Sequence, residues 1–197
     1  MRIERFSLRY GYLSLQYKFE DCVFNGCTNL SNIEIPITVK EIGNRAFEGC
    51  TSLTSIEIPC SVTKIRSCTF ASCSSLSKVE KSDSVIEIGC GAFENCSGII
   101  NIFVDPDKNI YCDVDGVLYT KDQSENIFVP NKYIDINFIV PTSVTKIKKE
   151  TFNVCSSLPS IKIPDSVTDI EKGALNGCTH LREIYQAKST NRLFSII

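Results

Sequence analysis

The 197-residue sequence contains no tryptophan, one methionine and one histidine, His180. Histidine is the side chain that most often serves as a general base near neutral pH, so a single copy leaves little material for acid–base catalysis. The sequence has no run of roughly 18 to 20 apolar residues, the length that spans a bilayer. Its first sixteen residues have neither the apolar core nor the small-residue cleavage site of a classical signal peptide. We therefore predict no membrane insertion, and secretion by the ordinary route has no support in the sequence.

The sequence also lacks an excess of charge of either sign. Lysine and arginine total 21, aspartate and glutamate total 23, and the formal net charge is −2. Nucleic acids and anionic membranes both require a basic surface, which this balance does not provide. We therefore predict no nucleic-acid partner.

A repeated pattern organises most of the chain. Cysteine recurs every 23 residues in two runs, and a phenylalanine or leucine lies three residues before each one. Further apolar columns follow at Leu30, Ile33, Val39 and Ile42 and at their equivalents in later repeats. The cysteine column contains Cys27, Cys50, Cys73, Cys96, Cys155 and Cys178.

A period of 20 to 30 residues is typical of a solenoid, in which each repeat buries its apolar columns against its neighbours. The segment L-x-x-I-x-I-P alternates like a strand, and its proline ends the strand because proline lacks an amide donor. We expect about seven stacked layers, one layer for each repeat, with these strands forming one parallel sheet.

The odd total of eleven cysteines is best explained by the repeat. We interpret the six cysteines of the column as small, buried apolar side chains, which fits a reducing compartment. The other five are Cys22, Cys60, Cys68, Cys90 and Cys112. Cys22 and Cys68 share a variable and therefore exposed column with Arg45 and Gly91.

Metal-binding patterns are incomplete. The cysteine spacings do not match the close pairs of a zinc site, and Asp105-x-Asp107-x-Asn109 lacks the later residues of a calcium loop. We predict no metal and no cofactor.

The pattern L-x-x-I-x-I-P-x-S-V-T-x-I-x-x-x-A-F-x-x-C resembles the BspA-like leucine-rich repeats. The matching text includes LTSIEIPCSVTKIRSCTFASC and LPSIKIPDSVTDIEKGALNGC, and the resemblance covers roughly residues 19–186. The segment VDPDKNIYCDVDGVLYTKD (104–122) resembles the irregular unit of the family and explains the 59-residue interval between Cys96 and Cys155. The resemblance implies a leucine-rich-repeat solenoid and proteins described as cell-surface adhesins or antigens that bind host matrix proteins.

The expected fold is a β-dominated solenoid, with a parallel sheet on one face and short strands, turns and short helical segments on the other. Residues 1–18 are expected to form a degenerate N-terminal cap, residues 19–186 the repeats and residues 187–197 a tail. An irregular insert at about 104–134 is expected to contain a β-hairpin that extends or flanks the sheet. Its strands would be VDGVLY (114–119) and NIFVP (126–130), separated by the polar turn TKDQSE.

Two outward columns flank the inward isoleucine of the strand segment. The first contains Asn32, Ser55, Lys78, Asn101, Ser160 and Glu183, and the second contains Glu34, Glu57, Glu80, Phe103, Lys162 and Tyr185. They form either a solvated face or a recognition strip with an acidic end and aromatic anchors. For the strip we predict a partner-binding site at Asn32, Glu34, Ser55, Glu57, Lys78, Glu80, Asn101, Phe103, Lys162 and Tyr185.

The function predicted from the sequence is a non-enzymatic protein-binding module. The resemblance favours a cell-surface adhesin or antigen that binds host or matrix proteins through the sheet face. The alternatives are an intracellular adaptor or scaffold that uses the same face, favoured by the missing signal peptide and the odd number of cysteines, and a truncated copy with no selected ligand. Self-association through the ends of the solenoid is also open. Catalytic residues, cofactors and metal ligands are not expected.

Overall fold

The computed structural model describes residues 17–81, 84–104, 110–131 and 137–186. The chain divides into two compact units, Met1–Ile110 (unit 1) and Tyr111–Ile197 (unit 2). The expected cap at residues 1–18 lies outside the described residues except for its last two positions, and the expected tail at 187–197 lies outside them entirely.

The described residues form fifteen short strands and no helix. The strands of unit 1 are β1 (Lys18–Phe19), β2 (Glu41–Ile42), β3 (Ser55–Ile58), β4 (Lys64–Ile65), β5 (Lys78–Lys81), β6 (Glu87–Ile88) and β7 (Asn101–Val104). The strands of unit 2 are β8 (Tyr111–Val114), β9 (Val117–Thr120), β10 (Glu125–Phe128), β11 (Asn137–Ile139), β12 (Lys146–Ile147), β13 (Ser160–Ile163), β14 (Asp169–Ile170) and β15 (Glu183–Gln186).

Unit 1 contains two parallel sheets. The L-x-x-I-x-I-P segments form the sheet β3-β5-β7, and Pro59 follows β3 directly. The two-residue strands of the V-T-x-I segments form a second sheet, β1-β2-β4-β6. Strand partners are related by the 23-residue period, as in the pairs Ile56–Val79 and Ile42–Ile65. The sequence pattern thus predicted the first sheet, its register and additional short strands, whereas the pairing of these short strands into a second sheet was not anticipated.

Unit 2 repeats this arrangement with one difference at its start. The sheet β11-β13-β15 is parallel and corresponds to the L-x-x-I-x-I-P segments. The other sheet has the order β14-β12-β10-β9-β8, in which β8, β9 and β10 pair antiparallel before β10 joins β12 in parallel. The insert therefore extends the sheet of the V-T-x-I segments and not the predicted sheet of the L-x-x-I-x-I-P segments.

The predicted hairpin is present as β9 and β10, but the predicted strand VDGVLY is correct only from Val117 onward. Asp115 and Gly116 have φ of 51° and 76°, so the chain turns there and separates β8 from β9. Positive φ at both central residues is typical of a two-residue type I′ hairpin, for which Asp-Gly is a preferred pair. The insert therefore contains three antiparallel strands where two were predicted.

Phenylalanine rings form the centre of unit 1. Phe24, Phe47, Phe70 and Phe93 stack in order, with centroid distances of 5.1, 5.4 and 5.8 Å and nearly parallel planes. Phe19 closes one end with edge contacts to Phe24 and Phe47. Stacking one ring on the next buries large apolar surfaces that a single layer would leave in water.

The cysteine column has a polar role as well as an apolar one. The Sγ atoms of Cys50, Cys73 and Cys96 donate to the carbonyl oxygens of Phe24, Phe47 and Phe70, at 3.2, 3.1 and 2.9 Å. In unit 2, Cys155 makes the same type of bond to Val129 at 3.4 Å. Burial raises the pKa of Cys50 and Cys73 to about 12 and that of Cys96 and Cys155 further still. These thiols are therefore neutral hydrogen-bond donors inside the core.

A second column is defined by its backbone conformation. In unit 1, Cys22, Arg45, Cys68 and Gly91 all have φ between 55° and 63°, and in unit 2 Glu150 and Gly173 have φ of 61° and 86°. The sequence showed this column as variable and therefore exposed. Its members share a left-handed turn, a conformation that favours glycine and is strained for other residues.

The fold class is confirmed as a leucine-rich-repeat solenoid of parallel sheets with an inserted hairpin. In the part of the chain that the structure describes, the segments expected as short helices are turns.

Candidate functional site

The predicted site residues of unit 1 lie on the outward side of the sheet β3-β5-β7. Ser55, Lys78 and Asn101 occupy one register position on the three strands. Glu57, Glu80 and Phe103 occupy another, two residues further along. The residues between them, Ile56, Val79 and Ile102, are buried. The alternation places the first two rows on the opposite side of the sheet from the core, as the sequence predicted. Phe103 is placed here by its backbone register alone.

The preceding layer continues this surface without forming a regular strand. The amide of Thr54 donates to the carbonyl of Ser31 at 3.5 Å, which stacks residues 31–35 beside β3. Asn32 and Glu34 are exposed, whereas Ile33 and Ile35 are buried. The alternation of exposed and buried side chains seen in β3 is thus already present one layer earlier.

A groove of about 590 Å³ runs across these layers. Six of the predicted site residues line it, together with Ile37 and Pro59; the six are Asn32, Glu34, Ser55, Glu57, Lys78 and Glu80. We call these six residues the acidic face. Ile37 has 61% of its surface exposed, so the groove offers apolar area beside the charges. Sequence reasoning missed Ile37 and Pro59 because they follow the strand segment instead of lying in it.

The acidic face stacks charges of one sign. Glu57 lies directly opposite Glu80, and Glu34 occupies the equivalent position one layer earlier. Like charges at directly opposed positions of a sheet are destabilising. Lys78 forms an ion pair with Glu80, its neighbour on the same strand. One lysine thus accompanies three carboxylates.

The second sheet of unit 1 arranges its charges differently. Arg66 lies between Glu41 and Glu87, with nitrogen–oxygen distances of 2.9 and 2.8 Å. Lys64 also pairs with Glu87, at 3.5 Å. The charges of successive layers therefore alternate in sign on this sheet, and its carboxylates have cationic partners. The acidic face is the exception within unit 1.

The remaining predicted site residues belong to unit 2. Lys162 and Tyr185 occupy one register position on β13 and β15, and Ile139 shares it on β11. Ile139 and Tyr185 expose 64% and 52% of their surfaces. The predicted strip is therefore divided between two units, an acidic face in unit 1 and an apolar and aromatic row in unit 2. The period identifies Ile139, because it lies 23 residues before Lys162, but sequence reasoning did not include it.

Ser160 occupies the outward register position predicted for it, between Asn137 and Glu183, but it is not exposed. The residue is buried, and its hydroxyl donates to Oδ1 of Asn137 at 2.5 Å on the neighbouring strand. Glu183, at the same register position on β15, is exposed and accepts a hydrogen bond from the Tyr185 hydroxyl. A small side chain covered by a neighbour cannot be told from an exposed one by its period alone.

The groove contains no pair of side chains suited to nucleophilic catalysis. Its lining residues include neither histidine nor cysteine, whereas a nucleophile needs a base within hydrogen-bond reach. His180 is exposed in unit 2, with Nδ1 2.8 Å from the carbonyl oxygen of Ser156. Among the described residues, no group of three or more His, Cys, Asp or Glu side chains is arranged to hold a metal ion. What this surface offers is shape, charge and apolar area for binding.

Several bacterial proteins of known structure have a fold similar to that of this chain. The pneumococcal vaccine antigen PcpA is 21% identical with a TM-score of 0.67, and the match covers 87% of this chain and 49% of that one. A leucine-rich cell surface protein from Faecalibacterium prausnitzii is 28% identical with a TM-score of 0.59, covering 85% and 58%. A leucine-rich repeat protein from Bacteroides ovatus is 25% identical with a TM-score of 0.58, covering 88% and 53%. The chain thus spans about half the length of these structures.

No curated protein sequence matches the chain. The family model described as the BspA type leucine-rich repeat region does match it, in six copies over residues 17–137 and 124–195. These ranges include all of the described residues and more than half of the chain. On the repeat pattern, the paired sheets and this match, the chain belongs to the BspA-type leucine-rich repeat family.

Proposed function

We propose that the chain is a non-enzymatic protein-binding module of the cell-surface adhesin type, which binds host or matrix proteins through the acidic face of unit 1. The observation that carries the proposal is the groove of about 590 Å³ lined by six of the predicted site residues. The cell surface protein from Faecalibacterium prausnitzii supports the proposed location.

The architecture suits this role for a physical reason. Inward side chains and backbone hydrogen bonds hold the layers together, so outward side chains can differ without loss of the fold. A face built on strands presents its groups at fixed spacings, which lowers the entropy lost on binding. Because Glu34, Glu57 and Glu80 repel one another, a ligand with basic groups gains from the contact.

Binding can be tested on a panel of purified extracellular-matrix proteins, including collagen, fibronectin and laminin. We expect one of them to bind the wild-type chain and the double variant Glu57→Lys, Glu80→Lys to bind it at least tenfold more weakly. The matched control is Asp165→Lys, which reverses an exposed charge on a turn of unit 2. Equal affinities for the double variant and the wild type would remove the acidic face from the proposal.

A second candidate function is an intracellular adaptor that uses the same face. It is favoured by the eleven cysteines, all of which lie in the described ranges and are free thiols. The part of the chain that the structure describes contains no helix with the length and apolarity needed to cross a bilayer. The two locations can be separated by labelling intact native cells with a membrane-impermeant amine reagent. Label on the chain in unbroken cells supports the adhesin, and label only after lysis supports the adaptor.

A further inference from the structure

Two cysteines outside the buried column lie in contact on adjacent layers of unit 1. The amide of Cys68 donates to the carbonyl oxygen of Cys90 at 3.0 Å, and the Sγ atom of Cys68 lies 3.9 Å from the same oxygen. Cys90 is exposed and Cys68 is half-buried. The two residues therefore share one stretch of surface.

The spacing of the layers suits a disulfide between them. Adjacent layers lie roughly 4.8 Å apart, and Cys90 precedes Gly91, the residue in register with Cys68, by one position of about 3.8 Å. The two Cα atoms are therefore roughly 6 Å apart, within the range of about 4.4 to 6.8 Å that a disulfide joins. Gly91, which follows Cys90, leaves room beside the Cys68 sulfur, since a Cβ atom there would be 3.5 Å from Sγ.

The buried cysteines do not offer this chemistry. Cys50 and Cys73 also lie in adjacent layers, but their thiols donate to the carbonyls of Phe24 and Phe47 inside the core. Their burial excludes a dissolved oxidant, and the pKa raised to about 12 leaves almost no thiolate to react. Contact between layers is thus shared by both sets, and access to solvent distinguishes them. Cys90 is exposed, whereas Cys68 is half-buried and burial raises its pKa too, so Cys90 is the thiol that meets the oxidant first.

We propose that Cys68 and Cys90 form a reversible disulfide that cross-links two neighbouring layers of unit 1. With oxidised glutathione as the oxidant, the exposed Cys90 thiolate attacks one glutathione sulfur, forms a mixed disulfide and releases one glutathione thiolate. The Cys68 sulfur, after losing its proton to solvent, then attacks the Cys90 sulfur and releases the second glutathione. Two protein thiols are oxidised, and one glutathione disulfide is reduced to two glutathione thiols.

The cross-link connects the chain across the turn of one repeat. It closes the 22-residue separation between the two cysteines and so restricts the unfolded chain. An oxidising exterior would preserve this bond, and a reducing cytosol would remove it. The proposal does not depend on the acidic face or on any ligand, so the two can fail separately.

The test uses the full chain equilibrated with mixtures of oxidised and reduced glutathione. The protein is then unfolded in guanidinium chloride with N-ethylmaleimide present from the start, so that the buried thiols are blocked as well. It is digested with trypsin without reduction. We expect the intact mass to show nine blocked thiols in place of eleven. We also expect a linked pair of peptides, 67–78 and 82–108, with fragmentation that places the bond on Cys68 and Cys90. The oxidised protein should unfold at a temperature several degrees above that of the reduced protein.

Single variants provide the controls. Cys68→Ser and Cys90→Ser should each abolish the linked peptides and the shift in unfolding temperature. Cys60→Ser removes an exposed cysteine elsewhere on unit 1 and should leave both unchanged. Circular dichroism of each variant checks that the fold persists. Eleven blocked thiols in fully oxidising buffer, or a bond to any other cysteine, would overturn the proposal.

Discussion

Units 1 and 2 share their inward columns and differ in almost everything that faces outward. In unit 1, four phenylalanine rings stack in parallel, and the outward row across the sheet contains Glu34, Glu57 and Glu80. In unit 2, Phe138 meets Phe152 edge to face at 80°, and the equivalent row contains Ile139, Lys162 and Tyr185. The comparison shows that the repeat preserves packing while leaving the surface chemistry of each unit independent.

The units also differ in how their stacks of two-residue strands begin. The second sheet of unit 1 is parallel in all its pairings, whereas unit 2 adds β8, β9 and β10 in antiparallel order. An antiparallel hairpin needs only a short turn, so an insert can be added to a parallel stack without a long crossover. The addition has one unfavourable consequence, because it buries the side chain of Asn126 without protein hydrogen-bond partners.

The largest expected effects come from the phenylalanine stacks. We expect Phe47→Ala and Phe152→Ala each to lower the free energy of unfolding by about 3 to 5 kcal/mol, because both rings are fully buried. Phe47→Leu should cost more than Phe152→Leu. Phe47 has ring contacts with Phe19, Phe24 and Phe70, whereas Phe152 has one with Phe138.

Urea titrations followed by circular dichroism measure both pairs of variants. Equal losses for the two leucine variants would show that parallel stacking in unit 1 adds nothing to simple burial. The comparison of the two cores would then reduce to a difference in geometry without a difference in stability.

Substitution of Asn126 in unit 2 is expected to give the next largest change in stability. Asn126 is fully buried in register with Ile147, at the position where the neighbouring layers have isoleucine, and its Nδ2 and Oδ1 atoms have no protein hydrogen-bond partner. Burying an amide without partners costs about 1 to 3 kcal/mol by mutational data. We therefore expect Asn126→Leu, which keeps the branching and removes both polar atoms, to stabilise the protein by a similar amount.

Thermal unfolding of the Asn126→Leu variant measures this change. Its matched control is Ile65→Asn, which places an amide in the same column of unit 1 and should destabilise. A loss of stability in Asn126→Leu would mean that the amide has a partner worth more than its desolvation.

A smaller effect on stability is expected in the column of residues with positive φ, which includes Arg45 and Gly173 and which we call the left-handed column. A residue other than glycine in this conformation costs about 1 to 2 kcal/mol, partly offset by the greater freedom of glycine in the unfolded chain. Arg45 of unit 1 has φ of 55°, so we expect Arg45→Gly to stabilise by about 1 kcal/mol. Gly173→Ala, in the same column of unit 2, should destabilise by a similar amount. Chemical denaturation of the two variants checks both signs, and two changes of the same sign would refute the argument from φ.

The smallest effect is pH-dependent and concerns the turn between β9 and β10. The Asp122 carboxylate accepts hydrogen bonds from the Thr120 hydroxyl and from the amide and hydroxyl of Ser124, and these lower its pKa to about 2. Because the folded pKa lies below the ordinary value of 3.8, the stabilisation is complete above pH 4. It is lost as the pH falls from about 4 to about 2.

We expect Asp122→Asn to flatten the pH dependence of the urea midpoint in that range. In unit 1, hydrogen bonds from Asn44 lower the pKa of Asp21, so Asp21→Asn should act in the same direction. An unchanged slope between pH 4 and 2 in Asp122→Asn would assign acid sensitivity to other carboxylates.

Much of the fold could be predicted because the pattern of buried residues repeats every 23 residues along the sequence. The period placed Ile56 opposite Val79 and Phe47 beside Phe70, and it identified the outward rows of the acidic face. The turn at Asp115–Gly116 carried a readable hairpin pair that sequence reasoning passed over. Ser160 and Asn126 were not predictable, because their burial depends on which neighbours cover them.

The sequence by itself determined the layers, their register and the family. Apolar columns that repeat every 23 residues can be buried in few ways other than by stacking successive repeats. Only the tertiary structure decided the left-handed column, the thiol bonds to phenylalanine carbonyls and the contact between Cys68 and Cys90. It also divided the predicted strip between two units. The reason is that these features depend on distances and backbone angles between layers, and a one-dimensional pattern records only which side chains recur.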